Sequence, residues 1–145
     1  MTDIRLSDDK ALLQLDRVHD WLASSYWSPG LLRTDFERAV AGSHCLGAYR
    51  EDVQIGFARV ITDHASFAWV ADVWIEESER GRGLGRAMVR WFLDHPDFAS
   101  IRRFALVTAD AHGVYAELGF HAPLRPDRYM ERLSPQFAAL LAAAS

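Results

Sequence analysis

Apolar positions fall into a sequence of short, distinct periods along the chain. Leu12, Leu15, Val18 and Leu22 share one helical face, and Asp8 and Asp9 lie in the first turn of the helix this predicts. Thr34-Asp35-Phe36-Glu37 has the spacing of a capping box, opening a second short helix that Gly42 would end. Between them runs Ser25-Tyr26-Trp27-Ser28-Pro29-Gly30, an aromatic loop closed by turn residues. The period then changes. His44 to Arg50 and Gln54 to Asp63 read as strands joined by a tight turn at Glu51-Asp52, and Ser66 to Ile75 as a third, more apolar strand with a central place in a sheet. Leu84, Met88, Trp91 and Phe92 restore the helical period, which stops before Pro96. Phe104 to Thr108 reads as a short buried strand, Ala111 to Leu118 as a helix with Gly119 as its C-cap, and Arg128 to Leu133 as a last strand. Ser134 then caps a final helix with Pro135 in its first turn and Phe137, Leu140 and Leu141 facing inward.

Helices, then antiparallel strands, then strand–helix–strand–helix–strand predict an α/β fold with a mixed, mostly antiparallel sheet and helices on its faces. With 145 residues and no linker or repeat, one domain over 1–145 is expected, large enough for a core without disulfides or metal. Half the residues are hydrophobic and a quarter charged, as in a soluble globular protein. The net charge of −4 and pI near 5.8 argue against a nucleic-acid partner. No apolar run approaches a membrane span, and nothing resembles a leader peptide. The single cysteine, Cys45, sits in an apolar run and reads as a small core residue; with no second thiol to pair with, a reducing, cytoplasmic setting is expected.

The run Arg80-Gly81-Arg82-Gly83-Leu84-Gly85 joins an apolar strand to a helix. Glycines at such a junction let backbone N–H groups approach a diphosphate, and the helix adds its unpaired donors and the positive end of its dipole. No Lys-Ser or Lys-Thr follows, so the run is not a P-loop, and glycines at 81, 83 and 85 do not fit G-x-G-x-x-G. They do fit R-x-x-G-x-G, from Arg80 through Gly83 to Gly85. Arg82, Arg86 and Arg90 extend a local basic patch suited to phosphates.

This pattern resembles the acyl-CoA pyrophosphate loop of the GNAT superfamily of N-acetyltransferases. A second segment, Thr108-Ala109-Asp110-Ala111-His112-Gly113-Val114-Tyr115-Ala116-Glu117-Leu118-Gly119-Phe120, is similar to that family's late helix, which carries a tyrosine and ends in Gly-Phe. Gly56 to Val60 and Ala71 to Ile75 look like its third and fourth strands, so the resemblance spans about residues 44 to 121. It implies a sheet splayed at its centre to admit acyl-CoA, and acetyl-CoA as co-substrate held by Arg80, Gly81, Arg82, Gly83, Leu84, Gly85 and Arg86. It further implies that Val73, Trp74 and Ile75 offer backbone donors to the thioester carbonyl, and that Tyr115 protonates the departing thiolate. Two positions depart from the pattern. Ala71 stands where some relatives carry a carboxylate just before Asp72, and Thr108 where many have Asn, though it can still cap the helix and touch the cofactor.

Acyl transfer to an amine needs a neutral nucleophile, and an alkyl amine of pKa about 10.4 reaches that form at pH 7 at a cost of about 4.6 kcal/mol. Asp72, the only carboxylate within the apolar run Phe67 to Ile75, either orients a water or the amine, or is a structural hydrogen-bond acceptor. Tyr26 and Trp27 are candidates for an aromatic wall on the acceptor side, with core packing as the competing role. His112 beside Asp110 either assists proton transfer or is a polar helix-end residue. The other histidines, His19, His44, His64, His95 and His121, show no metal-ligand spacing, and no metal is expected. The expected activity is transfer of an acetyl group to a primary amine of a small molecule, directly in a ternary complex. A protein or peptide amine as acceptor, or a catalytically silent CoA-binding module, stays open, as does a homodimer.

Overall fold

The computed structural model describes residues 3–144. Five strands, β1 (Ile4–Ser7), β2 (His44–Arg50), β3 (Val53–Thr62), β4 (Phe67–Ile75) and β5 (Arg103–Ala105), form one open sheet in chain order. β1 to β4 are antiparallel neighbours, while β5 joins β4 in parallel. The helices are α1 (Leu15–Ala23), α2 (Arg33–Ala41), α3 (Leu84–Asp94), α4 (His112–Glu117) and α5 (Pro135–Ala144).

The period of two along the strands sends alternate side chains to two cores. On one face Leu46, Ala48, Ala58, Val60, Ala68 and Val70 meet Leu84, Met88 and Phe92 of α3. On the other, Cys45 and Phe57 meet Val18 and Leu22 of α1 and Phe36 and Val40 of α2. Helices therefore cover both faces, as the pattern of elements predicts. Gly56 permits the close approach of α3: a Cβ there would lie 3.1 Å from Met88 Sδ and 3.2 Å from Ala48 Cβ.

Local chemistry moves several element boundaries. Asp9 caps a short 3-10 turn, Lys10–Leu12, by accepting from the Ala11 N–H, so α1 starts only at Leu15 and Leu12 stays exposed. The capping box at Thr34 is not used: α2 begins at Arg33, and the Phe36 N–H donates to the Leu32 carbonyl at 2.9 Å. β1 was not foreseen, because four residues with Arg5 among them carry little periodic signal. It pairs with β2 from Ile4 against Arg50 to Ser7 against Gly47.

The second half departs further. The strand expected over Phe104 to Thr108 ends at Ala105, and its ladder with β4 covers only Phe67 to Trp69 against Arg103 to Ala105. The strand expected over Arg128 to Leu133 is absent: a 3-10 turn occupies Pro126–Arg128, and the residues after it pair with nothing in the sheet. Ser134 does cap α5, its Oγ accepting from the Phe137 N–H at 3.2 Å. The inward face predicted for α5 is not realised, since Phe137 and Leu141 are exposed and no residue of the helix is buried.

Candidate active site

The short β4–β5 ladder creates the main opening of the molecule. Beyond Trp69, β4 runs on through Val70 to Ile75 with no strand on its β5 side, while the chain after Ala105 leaves the sheet at Leu106 to Thr108. A β-bulge reinforces the divergence. Arg59 faces Asp72 and Val60 faces Val70, so Ala71 is the extra residue on β4, and the bulge bends the strand where the opening starts.

The Gly-rich turn closes one end of this opening. Gly81 and Gly83 take left-handed backbone angles, φ +81° and +82°, which side chains beyond glycine rarely adopt. Gly83 is the N-cap of α3, and the first intrahelical bond runs from the Ala87 N–H to the Gly83 carbonyl, leaving the Leu84, Gly85 and Arg86 amides free of helical partners. The helix start sits on the end of β4: a Cβ on Gly85 would lie 3.7 Å from Val73 Cγ1 and Ile75 Cγ1. Arg86 Nη2 pairs with Glu117 Oε2 at 2.7 Å, tying α3 to α4, while its Nε is buried without a hydrogen-bond partner. Arg80 is used otherwise: its Nε donates to the Ile75 carbonyl at 2.8 Å and its guanidinium lies over the Trp74 ring. Arg82 is exposed, 3.6 Å from Glu79, and Arg90 is exposed on α3. The basic patch thus divides into an anchor, Arg80, and arginines open to an anion.

Tyr115 lies at the other side, on α4. Its ring meets Phe120 edge-on at 5.7 Å, and Thr108 Oγ1 accepts from the Ala111 N–H at 3.0 Å, shaping the start of the helix. Burial, reinforced by the nearby Tyr26 and Asp110, raises the Tyr115 pKa above that of a free phenol. His112 is exposed at the first residue of α4.

The aromatic loop between α1 and α2 is pinned by its own hydrogen bonds. The His19 ring bonds the Leu31 carbonyl at 2.7 Å, Ser25 Oγ donates to the Leu22 carbonyl and accepts from the Ser28 N–H, and the Gly30 N–H reaches the Ala23 carbonyl. Tyr26 is thereby held so that its hydroxyl receives the Ala109 N–H at 3.5 Å, bridging the early loop to the segment before α4. Trp27 packs edge-on to Tyr26 and lies 5.9 Å from Trp74, and its Nε1–H donates to Asp72 Oδ1 at 2.7 Å. The second Asp72 oxygen accepts from Arg59 Nε at 2.7 Å. Only 5% exposed, with both oxygens engaged, Asp72 is a firmly held acceptor.

Sequence reasoning missed Arg59, although the signal was present: one cation in an apolar strand faces one carboxylate in the next. It also missed Glu76, whose Oε2 accepts from Arg17 at 3.0 Å and Trp21 Nε1 at 3.1 Å and fixes α1 against the end of β4. A second cleft of about 400 Å³, lined by Arg17, Arg50, Glu76 and Glu79, contains none of the predicted site residues, and its acids are paired to its arginines.

A family model described as "Acetyltransferase (GNAT) family" matches residues 10–120. The chain belongs to the GNAT acetyltransferase family. A crystal structure of a GNAT-family acetyltransferase assignment from Xanthomonas campestris pv. campestris superposes with a TM-score of 0.87 at 39% identity, covering 91% of this chain and 94% of that one. A Gibberella zeae protein with an acetyltransferase assignment is 30% identical over 129 residues, 74% of this chain and 73% of that protein. A GNAT acetyltransferase from Elizabethkingia anophelis, solved with acetyl-CoA bound, shares the fold at a TM-score of 0.67 and 12% identity, covering 94% of this chain and 92% of that one. GNAT membership accounts for the open sheet and its mostly antiparallel order. Among the described residues no cluster of His, Cys, Asp and Glu could hold a metal ion, and no helix is long and apolar enough to cross a membrane.

Proposed function

We propose that this GNAT protein transfers the acetyl group of acetyl-CoA to a primary amine of a small molecule, directly and within a ternary complex. The observation that carries the reading is the juxtaposition of three parts around one opening. These are the left-handed Gly81–Gly83 turn with free α3 amides, the unpaired edge of β4, and a protonated Tyr115 across from them.

The residues fit the proposed co-substrate. The Gly83–Arg86 amides and the buried, unpartnered Arg86 Nε supply donors for a pyrophosphate, Arg82 adds charge, and Arg80 braces the loop through Ile75 and Trp74. Thr108 shapes the opposite wall. Backbone N–H groups of Val73 to Ile75, freed on the β5 side by the short ladder, are the proposed donors to the carbonyl that gains charge. Acetyl-CoA supplies a thioester, whose sulfur leaves as a thiolate. Tyr115 holds a proton for that sulfur, and its raised pKa keeps the phenol neutral throughout the physiological range. Asp72 acts through Trp27: it holds the indole, and with Arg59 fixes the wall against which the acceptor rests. The amine reaches its neutral form through desolvation or a water relay.

A small acceptor is supported by the contact between Tyr26 and Ala109, which bridges the acceptor side where a peptide would need an open groove. The buried, lone Cys45, its thiol pKa pushed up by burial, suits a reducing cytoplasm. The test is a panel of amines, amino acids and peptides assayed for acetyl-CoA consumption, with products identified by mass. Turnover of a small amine supports the proposal; turnover restricted to peptides, or none with any acceptor, rejects it.

A further inference from the structure

The C-terminal segment leaves more apolar surface in water than a chain of this size carries. Of residues 121–144, all but Leu133 and Leu140 are exposed, with Met130 at 97% and Leu124 at 84%. Val107, just beyond the end of β5, is 80% exposed. The whole chain has an accessible surface of 9339 Å², whereas a compact monomer of 16.4 kDa has about 7,500 Å². The excess of about 1,800 Å² per chain would bury about 3,600 Å² if two copies matched, within the range of permanent homodimers.

The same region holds both halves of an interface. β5 is the edge strand, paired on one side only, so its outer edge is a row of unused backbone donors and acceptors. Tyr129 begins an extended stretch, φ −94° and ψ 134°, over the residues whose pattern reads as a strand, yet that stretch has no ladder in its own chain. The Arg103 guanidinium lies 5.7 Å from the centre of the Tyr129 ring, so the segment passes the start of β5 without pairing to it. α5 follows as Phe137-Ala138-Ala139-Leu140-Leu141-Ala142, an apolar helix with no core beneath it. A foreign partner would have to supply both an edge and a strand. A second copy already has both, and twofold symmetry uses each twice.

We infer that two copies of this chain form a homodimer by exchanging their C-terminal segments. Residues 129–133 of each chain add a strand to the outer edge of the other chain's β5, and the α5 helices cover the apolar surface around Val107 and Leu124. The added strand lies beside the Leu106–Thr108 wall of the opening, so dimerisation borders the active site. The inference stands apart from the proposed reaction, since it rests on surface and strand edges and not on the acceptor.

Sedimentation and light scattering over a wide concentration range should give twice the 16.4 kDa chain mass. Met130→Glu changes a side chain that touches little within its own chain, so circular dichroism should stay unchanged. The dimer dissociation constant should rise at least about a hundredfold, because the charge is buried only in the pair. Hydrogen exchange supplies the second readout: amides of 129–133 should be protected in the parent protein and exchange freely in the variant. A parent chain that stays monomeric at all concentrations overturns the inference. Protected tail amides would then mean docking in cis, and unprotected ones a surface kept for another kind of partner. A dimer indifferent to Met130→Glu, with freely exchanging tail amides, overturns it equally by placing the interface elsewhere.

Discussion

Two side chains separate chemistry from scaffolding in the site. If Tyr115 donates the proton, Tyr115→Phe should leave the acetyl-CoA dissociation constant nearly unchanged and lower turnover roughly 10²-fold. The sign of its pKa shift adds a constraint: a phenol raised above its ordinary value of 10 loses its proton only in strongly alkaline solution, so the kcat profile should show no descending limb from this group below about pH 10. A Tyr-dependent limb near neutrality would remove it from the proton-transfer role. Asp72 makes a different forecast, because its oxygens are committed to Trp27 and Arg59. Asp72→Asn should lower the melting temperature by leaving Arg59 unpaired, and the accompanying loss of turnover should be the same at pH 7 and pH 9. A loss that shrinks at high pH would mark the carboxylate as a base. Trp27→Ala should raise the acceptor KM while acetyl-CoA affinity holds, whereas a purely structural Trp27 would affect stability alone.

Among the elements, the Gly-rich turn and α3 carry the sharpest expectation. A left-handed φ at Gly83 is strained for any branched side chain, so Gly83→Val should weaken acetyl-CoA binding at least tenfold, read by titration calorimetry. Equal binding would detach the turn from the phosphates. This turn was legible in the sequence because its signal is local: glycine spacing, an apolar strand before it and a helical period after. The strands β2 to β4 were legible for the same reason, each long enough to show its alternation. What the sequence did not reveal depends on pairing. Ile4–Ser7 becomes a strand only because the β2 edge receives it, and Arg128 to Leu133 has a strand's composition but finds no edge in its own chain. The Arg59–Asp72 pair was hidden for a related reason: each residue is an isolated charge until register sets them opposite.

For the whole molecule, alkaline stability turns on a residue remote from the opening. Burial pushes the Tyr49 pKa to about 12, and its hydroxyl is buried without a hydrogen-bond partner. Because the unfolded chain ionises this phenol near pH 10 and the folded one near 12, its contribution to stability is complete below pH 10 and is lost between those values. Tyr49→Phe should remove that part of the alkaline loss and, by deleting an unsatisfied hydroxyl, be neutral or stabilising by up to about 1 kcal/mol at pH 7, as thermal melts at both pH values would show. The three-residue β4–β5 ladder has a wider meaning for the fold. A sheet normally gains cohesion from every pair along its strands, and here several pairs are withheld. Whatever molecule lodges between β4 and the departing chain takes over contacts that a longer β5 would have made, so it joins the two halves of the sheet as well as reacting between them. By mass action, the folded population then rises with the concentration of that molecule. The protein's persistence in a cell becomes tied to the supply of its own co-substrate.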